Sequence, residues 1–229
     1  MITSTPLQPV TIIDATRIHA ANIPLRTPKV GGYATGTPDI QWTPELWDHF
    51  SQSGHVGIDQ APGLGLPFGS DIKDIETLAA SIEDFIAWAT ARMNAPGGAL
   101  FSPCYVSMDR LAQVKMAVDR AGLPRNKIGY GIADWNLNEE EAAALLGNDT
   151  VWVQWASPRS NPHTLVPGSS MTLAEAQVDL GIAVPWWHPQ PRPVWEQQVR
   201  DFSAELAAEL KHNADMATKL ADAIATHIP

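Results

Sequence analysis

Cysteine is all but missing from this chain: Cys104 is the only one in 229 residues. An internal disulfide is therefore excluded, and a zinc site would have to be built from histidine and carboxylate alone. The seven histidines show no HExxH or HxH spacing, so neither a metal nor a cofactor is expected. Positive charge is scarce as well. Fifteen Lys and Arg stand against 25 Asp and Glu, a formal net charge of −10. A surface this acidic repels a phosphate backbone, so nucleic acid is not an expected partner. No apolar run approaches the length of a membrane span, so no membrane partner is expected either. The start, Met1-Ile2-Thr3-Ser4-Thr5-Pro6, has neither the basic region nor the apolar stretch of a signal peptide, and none is expected. No G-x-G-x-x-G follows the first strand, which argues against a dinucleotide site. Ser107 and Ser157 stand in no recognisable serine-hydrolase context. Tyrosine (3) and phenylalanine (5) are few beside nine tryptophans. Flat indoles can serve as platforms for sugar rings or fill a core, and both readings stand at this point.

What is present is enough to fold. Hydrophobic residues make up 45% of the chain and charged residues 17%, a composition that buries a core. Short apolar runs alternate with amphipathic segments. Strands are expected at Val10–Asp14, Val30–Thr35, His55–Gln60, Ile72–Glu76, Leu100–Val106, Ile128–Ala133, Val151–Trp155 and Gln177–Ala183. Helices are expected to open at Thr43-Pro44-Glu45, to cover Ala79–Met93 and Met108–Ala121, and to open again at Asn138. Eight strands interleaved with helices predict an α/β chain folded as an irregular (β/α)8 TIM-type barrel. The third-to-fourth and seventh-to-eighth connections are too short or too rich in Pro and Gly for a helix. A doubly wound open sheet is the alternative. Three regions are expected: a barrel over 1–188, a proline-rich linker over 189–193, and a long C-terminal helix over 194–229. That helix, with its apolar stripe from Trp195 to Ile228, could pack on the barrel or serve oligomerisation or docking.

In a barrel of this kind chemistry sits at the C-terminal ends of the strands. Asp14, Asp59, Asp74, Glu76 and Asp134 fall at or just after such ends, and Asp179 lies on the eighth strand. Asp74-Ile75-Glu76 is the strongest signal, because positions two apart on a strand share a face. Two crowded carboxyls cannot both ionise freely, and a protonated acid beside an ionised one is what glycosidic cleavage requires.

The order of the pieces resembles the glycoside hydrolase family 25 (muramidase) barrels, and more closely the glycoside-hydrolase-like domains of actinobacteria and their phages. The matching pieces run from Val10 to Trp187. They are Ile12-Ile13-Asp14, Asp74-Ile75-Glu76, Cys104-Tyr105-Val106-Ser107, Ile132-Ala133-Asp134-Trp135, Val153-Gln154-Trp155 and Val178-Asp179-Leu180. Strand seven departs from the family in reading Gln154-Trp155 rather than the reverse order. The resemblance implies hydrolysis of the β-1,4 bond between the amino sugars of peptidoglycan, without metal or cofactor. It implies Glu76 as general acid, Asp74 as the group that orients the N-acetyl substituent or stabilises developing positive charge, and Asp14 as completing the catalytic cluster. Asp179, Tyr33, Tyr105, Trp135, Gln154 and Trp155 are implied as substrate contacts, and Asp59, at the end of strand three, is counted with them.

Two functions follow as expectations. One is a wall hydrolase acting on bacterial cell-wall glycan, carried on a phage virion or tail or released to the cell wall. The other is a catalytically inactive barrel that binds saccharide or forms part of a particle, mounted or oligomerised through the C-terminal helix. A metal-dependent deacetylase or amidase would need a histidine cluster that the sequence lacks.

Overall fold

A computed structural model of the protein describes residues 8–76, 79–95 and 100–187, with Lys211 and Met216. The expected linker at 189–193 lies outside those residues, as does the expected helix over 194–229 apart from Lys211 and Met216. The chain divides into two units, Met1–Gln190 and Pro191–Pro229, and the described strands all belong to the first.

The strands are β1 (Val10–Ala15), β2 (Lys29–Tyr33), β3 (Gly54–Asp59), β4 (Ile72–Asp74), β5 (Ser102–Ser107), β6 (Ile128–Ala133), β7 (Thr150–Ala156) and β8 (Asp179–Ala183). They close into one eight-stranded barrel in sequence order. From β1 to β7 every neighbouring pair is parallel. β8 runs antiparallel to both β7 and β1, so the barrel is mixed and departs from a regular (β/α)8 pattern at its last strand.

Helices α1 (Pro44–His49), α2 (Ile82–Met93), α3 (Leu111–Arg120), α4 (Glu139–Leu145) and α5 (Leu173–Ala176) fill five of the connections. The β3-to-β4 connection is helix-free, as its Pro and Gly content predicts, whereas the β7-to-β8 connection, also expected without a helix, holds the four-residue α5 started by the Thr172 and Glu175 capping box. Local chemistry sets the boundaries. Thr43 caps α1 with Pro44 in its first turn, and reciprocal capping boxes start α2 (Ser81 and Asp84), α4 (Asn138 and Glu141) and α5 (Thr172 and Glu175). Ser81 thus starts α2 three residues later than its apolar spacing alone suggests. Gln177, expected in a strand, takes the left-handed conformation (φ 54°) and closes α5 with its N–H on the Leu173 carbonyl. The eighth strand accordingly begins at Asp179.

Alternation along the strands divides the molecule into an inside and an outside. Ile12, Val56, Ile58, Ile72, Tyr105 and Trp152 pack in the interior cluster. Trp152 is fully buried and stacks on Tyr105 with ring centroids 5.0 Å apart. Burying a side chain of that area is worth about 5 kcal/mol. On the outer face, Ile13, Val30, Trp42, Trp47, Phe50 and Leu180 form one cluster. Ile75, Phe85, Trp88, Val106, Val114 and Ile132 form another, against α2 and α3. Five tryptophans (Trp42, Trp47, Trp88, Trp152 and Trp187) are buried, whereas Trp135 and Trp186 are exposed. Cys104 is a buried core residue whose thiol burial pushes up in pKa. Among the described residues no helix is long and apolar enough to cross a membrane.

Candidate active site

The direction of β8 decides the site. Strands β1 to β7 end at one rim of the barrel, and β8, running the other way, begins there. Asp14 near the end of β1 and Asp179 at the start of β8 are therefore directly opposed partners in the ladder. Asp14 shares the inward face with Ile12, two residues before it. Its other neighbour is Gly31 on β2, and a Cβ at that position would lie 2.5 Å from the Asp14 Cβ, so the aspartate's position requires glycine there. Gln154 on β7 completes the group. Its Nε2 donates to Asp14 Oδ1 at 3.0 Å.

Asp74 and Glu76 come from the end of β4. The ladder stops at Asp74 rather than at Glu76, because the chain bends there: the Glu76 N–H donates to Asp74 Oδ1 at 2.9 Å. Ile75 continues the pairing with its N–H on the Tyr105 carbonyl at 2.9 Å. Arg110, ahead of α3, clamps the bend by donating from Nη1 to the Ile75 carbonyl at 2.6 Å. The spacing thus delivers both carboxyls to one place, with a turn in place of an extended strand holding the second.

Burial and mutual repulsion keep this cluster protonated far above ordinary carboxyls. Burial first, then the charges of Asp179, Glu76 and Asp74, raise Asp14 well above the usual carboxylate range. Burial lifts Asp179 to about 7. Glu76 is pushed up to about 7, by burial and then by Asp74 and Asp179, with Arg110 pulling the other way. Asp74 reaches about 6 through burial, opposed by the Glu76 N–H and by Lys73. Tyr33 and Tyr105 border the same four acids, and burial with those charges holds their phenols protonated. Between pH 6 and 7 the site accordingly offers an ionised Asp74 beside a protonated Glu76, with two phenol donors next to them.

Other expected contacts fall elsewhere. Asp59 does not enter the mouth, because it has the opposite parity to the inward Ile58. It is fully buried on the outer face in an ion pair with Lys73 at 3.2 Å. Oδ1 accepts from the Thr35 hydroxyl (2.9 Å) and Ala61 N–H (3.0 Å), and Oδ2 from Leu66 N–H (2.7 Å). With both oxygens occupied, Asp59 anchors the 61–70 loop and is not a substrate contact. Trp155 sits where the β7–β8 register shifts and packs against outer-face clusters, away from the groove expected for it. Gln154, only 2% exposed, donates to Asp14 from the inner face of β7. Trp135 is partly exposed just beyond β6.

Sequence reasoning passed over Lys73 and Arg110. Lys73 is readable in principle, since a lysine alternating between inward Ile72 and Asp74 needs an acid on the outer face. Arg110 carries no such signal. Among the described residues no group of three His, Cys, Asp or Glu is arranged to hold a metal ion. Comparison of the chain with family models, with curated proteins and with solved structures gave no significant match.

Proposed function

We propose that this protein is a glycoside hydrolase that cleaves the β-1,4-linked amino-sugar backbone of peptidoglycan without a cofactor, on an irregular (β/α)8 barrel whose last strand is reversed. The observation that carries the reading is the gathering of Asp14, Asp74, Glu76 and Asp179 with Tyr33 and Tyr105 at one rim, where Glu76 keeps its proton to about pH 7 and Asp74 loses its own near pH 6. Glu76 donates that proton to the glycosidic oxygen as the bond from the anomeric carbon breaks. Asp74, ionised, accepts from the substrate's acetamido N–H, so that the acetamido oxygen closes on the anomeric carbon. Water then opens that ring, giving its proton to the Glu76 carboxylate and its hydroxyl to the sugar. Tyr33 and Tyr105 supply donors to the sugar beside the acids. The 35-residue stretch from Val194 to Ile228 contains no Gly or Pro, which supports its use in mounting the barrel on a larger particle such as a phage tail.

The test is release of soluble muropeptides from purified bacterial wall by the wild type and by Glu76→Gln. The substitution should lower release by roughly 10²- to 10⁴-fold while leaving the thermal transition in place. Wild-type activity should lie in a window near pH 6–7, bounded below by protonation of Asp74 and above by loss of the Glu76 proton. If the wild type releases nothing across pH 4 to 8, the barrel is a saccharide-binding or structural module instead.

A further inference from the structure

The peptide that carries Glu76 is held by side chains where a barrel strand is ordinarily held by its ladder. Parallel pairing of β4 with β5 runs through Asp74 and one bond further, the Ile75 N–H on the Tyr105 carbonyl. Continued pairing would next seat the Ile75 carbonyl on the Ser107 N–H. Among the described residues that carbonyl accepts from Arg110 Nη1 instead, at 2.6 Å. The other end of the same peptide, the Glu76 N–H, donates to Asp74 Oδ1 at 2.9 Å. We propose that Arg110 is a positioning residue for Glu76: its guanidinium, together with Asp74, fixes the Ile75–Glu76 peptide and so sets where the acid stands beside Asp74. The consequence for catalysis rests on the glycosidase reading, but the hold on the peptide does not.

Both ends of the contact are anchored. Ile75 is fully buried in the outer-face cluster with Phe85, Val106 and Val114, and Met108 and Leu111, which bracket Arg110, pack against that same cluster. Arg110 closes the single turn Met108–Arg110 after β5 and stands at the N-cap of α3. It is a poor choice for its own helix. The cap position favours a short side chain with an oxygen, and a cation there opposes the helix dipole. Arg110 makes no capping bond, and the first turn of α3 holds no acid to offset it. Its side chain serves the neighbouring loop instead, reaching a carbonyl 35 residues away in sequence. A charge-assisted bond of this kind is stronger than a neutral one. Without it the Ile75 carbonyl loses its donor and turns toward water, rotating the peptide and the acid with it. The charge of Arg110 also reaches Glu76, where Asp74, Asp179 and Asp109 oppose it. Hold and charge are separable by substitution.

Arg110→Met removes both the donor and the charge. Arg110→Lys keeps the charge and one donor, which suffices where the guanidinium gives the carbonyl a single bond. The measurements are kcat and KM for muropeptide release from solubilised peptidoglycan, and backbone amide hydrogen exchange of the full chain without substrate. Arg110→Met should lower kcat by roughly 10- to 100-fold with KM nearly unchanged, because a displaced acid is felt in the transition state. It should also speed exchange of the Glu76 N–H by about tenfold or more while the amides of β5 keep their protection. Arg110→Lys should restore most of both. Unchanged kcat and unchanged Glu76 exchange in Arg110→Met overturn the proposal. So does an upward shift of the alkaline limb with kcat retained at the optimum, which makes Arg110 a charge alone. Exchange that quickens equally along β4 and β5 overturns it too, as the mark of general loosening. Should Arg110→Met fail to fold, Arg110→Gln, too short to reach the carbonyl, is read by the same criteria. Failure of the glycosidase reading looks different: the wild type releases no muropeptides, and exchange at Glu76 then decides the hold by itself.

Discussion

Lys73 and Asp74 are adjacent residues of β4, both buried, and they face opposite sides of the same short strand. On the outer side, Lys73 meets Asp59 at 3.2 Å and donates a second bond to the Ala61 carbonyl at 2.5 Å. That acid has a cation and three further donors, so its charge is matched. On the inner side, Asp74 joins Asp14, Glu76 and Asp179. There the Gln154 amide on Asp14, the Glu76 N–H on Asp74 and the charges of Arg110 and Lys73 stand against four carboxyls. Asp71 is an intermediate case: it accepts the Gly57 N–H at 2.7 Å, yet burial still lifts it to about 7 despite Arg92. Burial is shared by all three sites, so burial alone does not set what an acid does. Matching does. A matched acid holds a loop, and an unmatched set stores protons.

The contrast is broken most severely at Lys73. Replacing it by Met leaves Asp59 buried without its cation and should cost about 3–5 kcal/mol, read as a lower midpoint in urea unfolding. Loss of stability comparable to a surface substitution would mean that water or another cation replaces it. A smaller effect is expected at Gly65, which has a φ of +56° and where a Cβ would lie 2.2 Å from Asp59 Oδ2. Gly65→Ala should cost about 2 kcal/mol from the left-handed backbone and the displaced carboxylate, checked by the same unfolding curve. The smallest effect sharpens the inner site. Glu76 and Asp179 have ordinary values near 4 and folded values of about 7, so through these two the folded protein binds more protons than the unfolded chain between those limits. Stability therefore falls as pH rises from about 4 to about 7, and the full penalty is present at pH 8. Asp179→Asn removes part of it and should raise Tm at pH 8 by about 2–4 °C while leaving pH 4 unchanged. A lowered Tm at pH 8 would show that the ionised pair stabilises the barrel.

Much of the barrel was legible because β/α alternation and capping residues are local signals. Thr43 and Asn138 each mark a helix start from a handful of neighbours, whereas the caps Ser81 and Thr172 were passed over. The direction of β8 was not legible, since an alternating strand reads the same way in either direction. Asp74 and Glu76 were found by spacing, although a turn delivers Glu76 in place of the extended strand that the spacing implied. Asp59 was misplaced for a reason the sequence does contain. Val56 and Ile58 share a face, which leaves Asp59 on the other one. Trp155 was harder, because Val151, Trp152, Val153 and Gln154 are all buried and a strand buried on both faces has no period to read.

The opposed pair Asp14 and Asp179 also has a meaning in time. The ladder between β1 and β8 is the seam of the barrel, formed by the first and last strands among the described residues. Lys29 fastens the same seam at the other end, donating to the carbonyls of Val184 and Trp187. A nascent chain that has not yet delivered β8 has open edges on β1 and β7, and it lacks Asp179. The acid cluster is thus complete only once β8 has been added. Until β8 joins β1 and β7, the rim holds Asp14, Asp74 and Glu76 without the fourth acid that faces Asp14.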